Sequence, residues 1–197
     1  MKESENYLLG LKAIIWDQPR LRFRSPSAQQ FIWDRSGWAL ADCMKLGRRV
    51  SESDLSAHRI PNPGCTCGIY ATNTTGILHN YMGNPNAVAV LAAACGEAEV
   101  WSGGFRSQAA QVVAVVGGWR RTIALADRGA MWDQMVKMDV DQAAQLAMIA
   151  SEYFGVDVVE LSVSLEMIKG SWQMDGYINR MDGGYGKAKK VRVQEAG

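Results

Sequence analysis

Apolar and polar positions alternate with two different periods along this chain, and the change of period divides it. Residues Tyr7 to Trp16 are largely apolar, Asp17-Gln18-Pro19 is a turn signal, and basic and apolar residues then alternate from Arg20 to Arg24. That pattern predicts a β-hairpin with one solvated face. Two long apolar runs, Ala87 to Trp101 and Phe105 to Val116, flank Ser102-Gly103-Gly104 and predict two strands joined by a tight turn. Gly68-Ile69-Tyr70-Ala71 predicts a short buried strand after the turn formers Pro61, Asn62, Pro63 and Gly64. Asn73, Thr74 and Thr75 offer caps for a short helix ending near Met82.

The period lengthens downstream. Ala143, Leu146, Ala147, Ile149, Ala150, Tyr153 and Phe154 recur at helical spacing, which predicts a helix over Asp139 to Phe154 with Asp139 and Asp141 at its positive end and Gly155 as its stop. Val156 to Leu165 is expected to be one more strand. Phe31 to Cys43 predicts an irregular aromatic segment with one helical turn, and Ser51 to Leu55 a polar loop. The whole is expected to be α+β, with a mainly antiparallel sheet and a long C-terminal helix. Residues 1–170 form one domain in this reading, and 171–197 a glycine-rich, basic, loosely packed tail.

At 197 residues, one domain can bury roughly 70% of the surface its unfolded chain exposes, so its core needs no staple to form. The formal net charge of +1, with both signs mixed, creates no strong field for nucleic acid or membrane. The apolar run Ala87 to Cys95 is about half of the roughly 20 residues a bilayer requires. Met1 to Asn6 shows no secretory pattern, so a cytoplasmic protein is expected, in which clustered cysteines serve metal or chemistry rather than disulfides. Asn73-Thr74-Thr75 matches a glycosylation sequon but is read as a loop or cap.

The candidate chemistry lies in Cys43, His58, Cys65 and Cys67, which include three of the four cysteines and one of the two histidines. Three thiolates and an imidazole make a complete donor set for one tetrahedral Zn²⁺. Their spacing, C-x14-H-x6-C-x-C, has a final gap tighter than that of ordinary zinc knuckles, and buried cysteines beside a hydrogen-bonded histidine are the competing reading. The set lacks the glutamate after the histidine and the Cys-x-x-Cys pair of zinc deaminases. Neither His-Glu-x-x-His, a nucleophile elbow nor a P-loop occurs. Cys95, inside an apolar run, is expected in the core, and His79 at the surface.

Cys65-Thr66-Cys67-Gly68-Ile69-Tyr70-Ala71 resembles the signature of an uncharacterised family of actinobacterial and related bacterial proteins, carried also by their phages. Trp33, Gly37, Ala41, Cys43, His58 and Pro61 precede it in the family's order, and Gly96, Gly104, Phe105 and Arg106 follow at the family's spacing. Cys95 stands where the family has Trp, and Ser107 where it has Ala, which marks a divergent member. The resemblance spans residues 7–161 in blocks. It includes all four candidate ligands and implies no activity.

The residues thus point to a zinc-stapled, noncatalytic module that binds another protein, with Gly103, Gly104, Phe105 and Arg106 as the contact surface. An aromatic and an arginine presented on a glycine turn are interface types. The competing role for Arg106 is an ion pair with Glu97, Glu99 or Asp127. A small enzyme using the zinc or Arg106 is the alternative. A third reading, nucleic-acid binding through Lys187, Lys189, Lys190 and Arg192, is the weakest.

Overall fold

A computed structural model describes residues 8–26, 32–41, 44–45, 48–49, 60–61, 66–81, 83–126, 133–174 and 189–193. The predicted first hairpin forms: β1 (Leu9–Asp17) pairs antiparallel with β2 (Arg22–Arg24) across a 3-10 turn at Gln18–Arg20. The segment expected to be irregular instead supplies β3 (Ile32–Trp33), on β2, and β4 (Trp38–Leu40). Asp34 makes the corner between them, its Oδ1 accepting from the backbone N–H groups of Ser36 at 3.0 Å and Trp38 at 2.9 Å. A two-stranded ladder of β5 (Met44–Lys45) and β6 (Arg48–Arg49) follows. The predicted buried strand is β7 (Ile69–Thr72), and α1 (Gly76–His79) is the short helix after it.

The two apolar runs are the centre of the fold. They form β8 (Ala87–Trp101) and β9 (Gly104–Gly117), paired antiparallel along almost their whole length. The outer edge of β8 carries β1 along residues 87–93 and β11 (Lys189–Val193) along 96–100. The outer edge of β9 carries β7, β4 and then β10 (Val158–Glu160), the one parallel partner among the described residues of the sheet. β1 and β7 meet at Leu11 and Thr72, so β8, β9, β7 and β1 close into a ring. Register shifts at Leu91/Ala92 and Cys95/Ala98 give the hairpin the bends that closure requires. Gly96, with φ +72°, sits at the second shift.

Three helices follow among the described residues. They are α2 (Trp119–Ala126), α3 (Asp133–Phe154) and α4 (Leu161–Met174). Leu11, Ala13 and Ile15 pack in one core cluster with Leu161, Ile168 and Trp172 of α4, whereas Ile14 packs in a second with Leu146, Ala150 and Phe154 of α3. Alternate residues of β8 divide in the same way, Ala87, Ala89 and Leu91 against Val88, Val90 and Ala92. A strand covered on both faces needs apolar residues at every position, which explains the unbroken run from Ala87 to Cys95.

Two further expectations need correction. The helix predicted from Asp139 begins at Asp133, so Asp139 and Asp141 lie inside it rather than at its positive end. The strand predicted over Val156 to Leu165 is only the three residues of β10, and Leu161 opens a second long helix. Leu161, Ser164, Ile168 and Trp172 are buried at spacings of three and four, a helical period that runs past the end of the predicted strand. Of residues 171–197, Ser171 and Trp172 are buried in α4, and Lys189–Val193 pair with β8.

Candidate functional site

The two sequence motifs meet in the sheet. β7, which carries the end of Cys65-Thr66-Cys67-Gly68-Ile69-Tyr70-Ala71, pairs with the start of β9 so that Tyr70 stands opposite Arg106. Arg106 in turn stands opposite Glu99 of β8. Directly opposed residues share a face, and three strands therefore place Tyr70, Arg106 and Glu99 side by side. Gly104 allows this approach, because a Cβ there would lie 2.2 Å from the Ala71 carbonyl oxygen.

The cluster is largely enclosed, with Arg106 only 7% exposed. Its Nε and Nη2 both reach Oε2 of Glu99, and its Nη1 donates to the Tyr70 hydroxyl at 3.4 Å. Burial by itself lowers the pKa of Arg106, but its hydrogen bonds to Tyr70 and Glu99 and the Glu99 charge outweigh it and hold the guanidinium above its ordinary value. The Tyr70 hydroxyl donates onward to the Thr66 carbonyl at 2.9 Å, and its ring lies 6.0 Å from that of Trp101. Lys12 of β1, 4% exposed, donates from Nζ to the Tyr70 carbonyl at 2.9 Å. Burial brings its pKa down from 10.5 to about 8. Lys12 escaped the sequence reading, although a lysine inside the apolar run from Tyr7 to Trp16 was its available signal.

Of the predicted zinc ligands, Cys67 is 7% exposed just before β7, and Cys43, His58 and Cys65 lie outside the described residues. Cys67 packs with Ile60 and Ala41 in a small cluster of their own. Among the described residues no group of three or more His, Cys, Asp or Glu side chains could hold a metal. Of the predicted contact surface, Phe105 is wholly buried in the core and Gly104 is buried, while Ser102 is exposed and Gly103 half-buried. Arg106 takes Glu99, one of the three acidic residues weighed for it. Cys95 is buried and His79 exposed. Along β11, Lys190 stands across from Glu99 and Arg192 across from Glu97, so two of the four basic tail positions face acidic ones.

A separate groove of about 320 Å³ opens where β9 passes into α2. Trp119, Ala147, Met148 and Val158 give it apolar walls, with Arg120, Arg121 and Glu160 as charged groups. Met148 is 56% exposed there. No helix among the described residues is long and apolar enough to cross a membrane. No protein-family model, curated protein or solved structure matches the chain.

Proposed function

We propose that the protein is a zinc-stapled, noncatalytic binding module that acts on another protein, as a bacterial or phage accessory protein would, in a cytoplasm where its thiols stay reduced. The observation that carries the metal half is the packing of Ala41 and Ile60 on Cys67. In sequence, Ala41 lies two residues before Cys43 and Ile60 two after His58. Cys67 thus packs against sequence neighbours of two other candidate ligands, and its buried thiol suits a closed structural site. Arg106 and Glu99, charged side chains of the adjoining sheet, engage each other, which supports scaffold over chemistry.

The binding half is supported by the groove beside α2. Its mouth presents Met148, a flexible and polarizable side chain fitted to an apolar side chain of a partner protein. Elemental analysis is expected to find one zinc per chain, lost in Cys67→Ser. A metal-free protein of unchanged stability removes the zinc. A partner retained by the wild type is expected to be released by Met148→Asp at unchanged zinc content. Retention by Met148→Asp, with release on substitution at Ser102 or Gly103, moves the contact to that turn.

A further inference from the structure

Glu99 and Arg106 of the central hairpin and Tyr70 of β7 lie in line toward the segment that holds Cys67. We propose that they are positioning residues for this metal ligand, bracing the segment Thr66-Cys67 against the β8–β9 ladder. The inference rests on the zinc reading above and names what gives that site its geometry. Glu99 fixes Arg106, Arg106 fixes the Tyr70 hydroxyl, and the hydroxyl holds the Thr66 carbonyl. That carbonyl and the N–H of Cys67 belong to one planar peptide unit, so anchoring one end sets the direction in which Cys67 leaves it. On the other side of Cys67 the chain lies close on β9, since a Cβ at Gly68 would sit 3.3 Å from Cβ of Arg106 and 3.4 Å from the Ser107 carbonyl oxygen. Cys67 is thus held from both neighbours in sequence, and Arg106 contributes to both.

Outer residues of this kind orient metal ligands, and their loss costs about 10- to 100-fold in metal affinity. Zinc affinity, measured by competition with a chromophoric chelator, is the primary readout, and the thiolate-to-metal absorption of the Co²⁺-substituted protein is the second. Tyr70→Phe removes the hydroxyl and keeps the ring. Arg106→Lys keeps a charge for Glu99 and loses the fork that also reaches Tyr70. Both are expected to weaken zinc binding by tenfold or more and to alter the Co²⁺ spectrum. Tyr153→Phe, which removes a hydroxyl bonded to the Trp33 carbonyl in the second core, is expected to do neither. Wild-type affinity and spectrum in Tyr70→Phe and Arg106→Lys overturn the bracing role and leave the zinc site standing. An equal loss in Tyr153→Phe also overturns it, as general loosening. A wild-type protein without zinc removes the site itself and the bracing role with it.

Discussion

Lys12 and Arg106 are both buried cations, yet their energetics are opposite. Arg106 is compensated by Glu99 and Tyr70, so removing it strands a carboxylate. Arg106→Ala is expected to cost about 3–5 kcal/mol in denaturant unfolding; a cost below about 1 kcal/mol would show the pair to be solvent-screened. Lys12 has the Tyr70 carbonyl but burial lowers its pKa to about 8. Its folded pKa lies below the unfolded one, so the unfolded chain binds more protons between about pH 8 and 10.5, and stability rises with pH through that window. Below it the whole penalty applies, on the order of 3 kcal/mol. Lys12→Met forgoes a hydrogen bond of about 1 kcal/mol. It is therefore expected to stabilise the protein by about 2 kcal/mol at pH 6–7, an advantage that shrinks toward pH 10. Parallel unfolding curves of the two proteins from pH 6 to 10 would contradict this.

The contact of β7 with β9 is the element-level device that joins the motifs. It depends on Gly104, where a side chain would meet the backbone of Ala71. Gly104→Ala must push β7 outward, with an expected cost of about 1–3 kcal/mol or more and weaker zinc binding through displacement of the strand that leaves Cys67. Unchanged unfolding and zinc affinity would mean that β7 can shift without loss. Gly104 was legible as a turn residue, whereas its steric role was not, because the atom it makes room for belongs to a strand some thirty residues earlier in the chain.

The covering of both sheet faces makes the C-terminal part integral to the whole molecule. Trp172 is buried in α4 and donates from Nε1 to the Leu9 carbonyl at 2.8 Å, and the Ser171 hydroxyl accepts from Leu9 N–H at 3.2 Å. The last turn of α4 thereby clasps the first residue of β1. A chain ended at residue 170, the boundary drawn from composition, is expected to lose cooperative unfolding or to melt well below the full chain, and Trp172→Ala to cost about 3–5 kcal/mol. A truncated chain with the melting temperature of the full one would establish residues 171–197 as dispensable to the fold.

Local chemistry was enough for the sequence to determine the first hairpin, the two central strands and their glycine turn, strand β7 and the stop of α3 at Gly155. Each is written in a period or a turn signal within a few residues. The sequence also placed Cys67 and Tyr70 in one motif and Arg106 in another. Only the tertiary structure decided that Tyr70 and Arg106 are neighbours, because strand register is set by the packing of both faces and not by either segment alone. It decided, too, that Leu161 starts a helix, that Ile32–Trp33 and Trp38–Leu40 are strands, and that Lys12 is enclosed. In each case the deciding partner is distant in sequence: the core face under α4, the edges of β2 and β9, and the carbonyl of Tyr70.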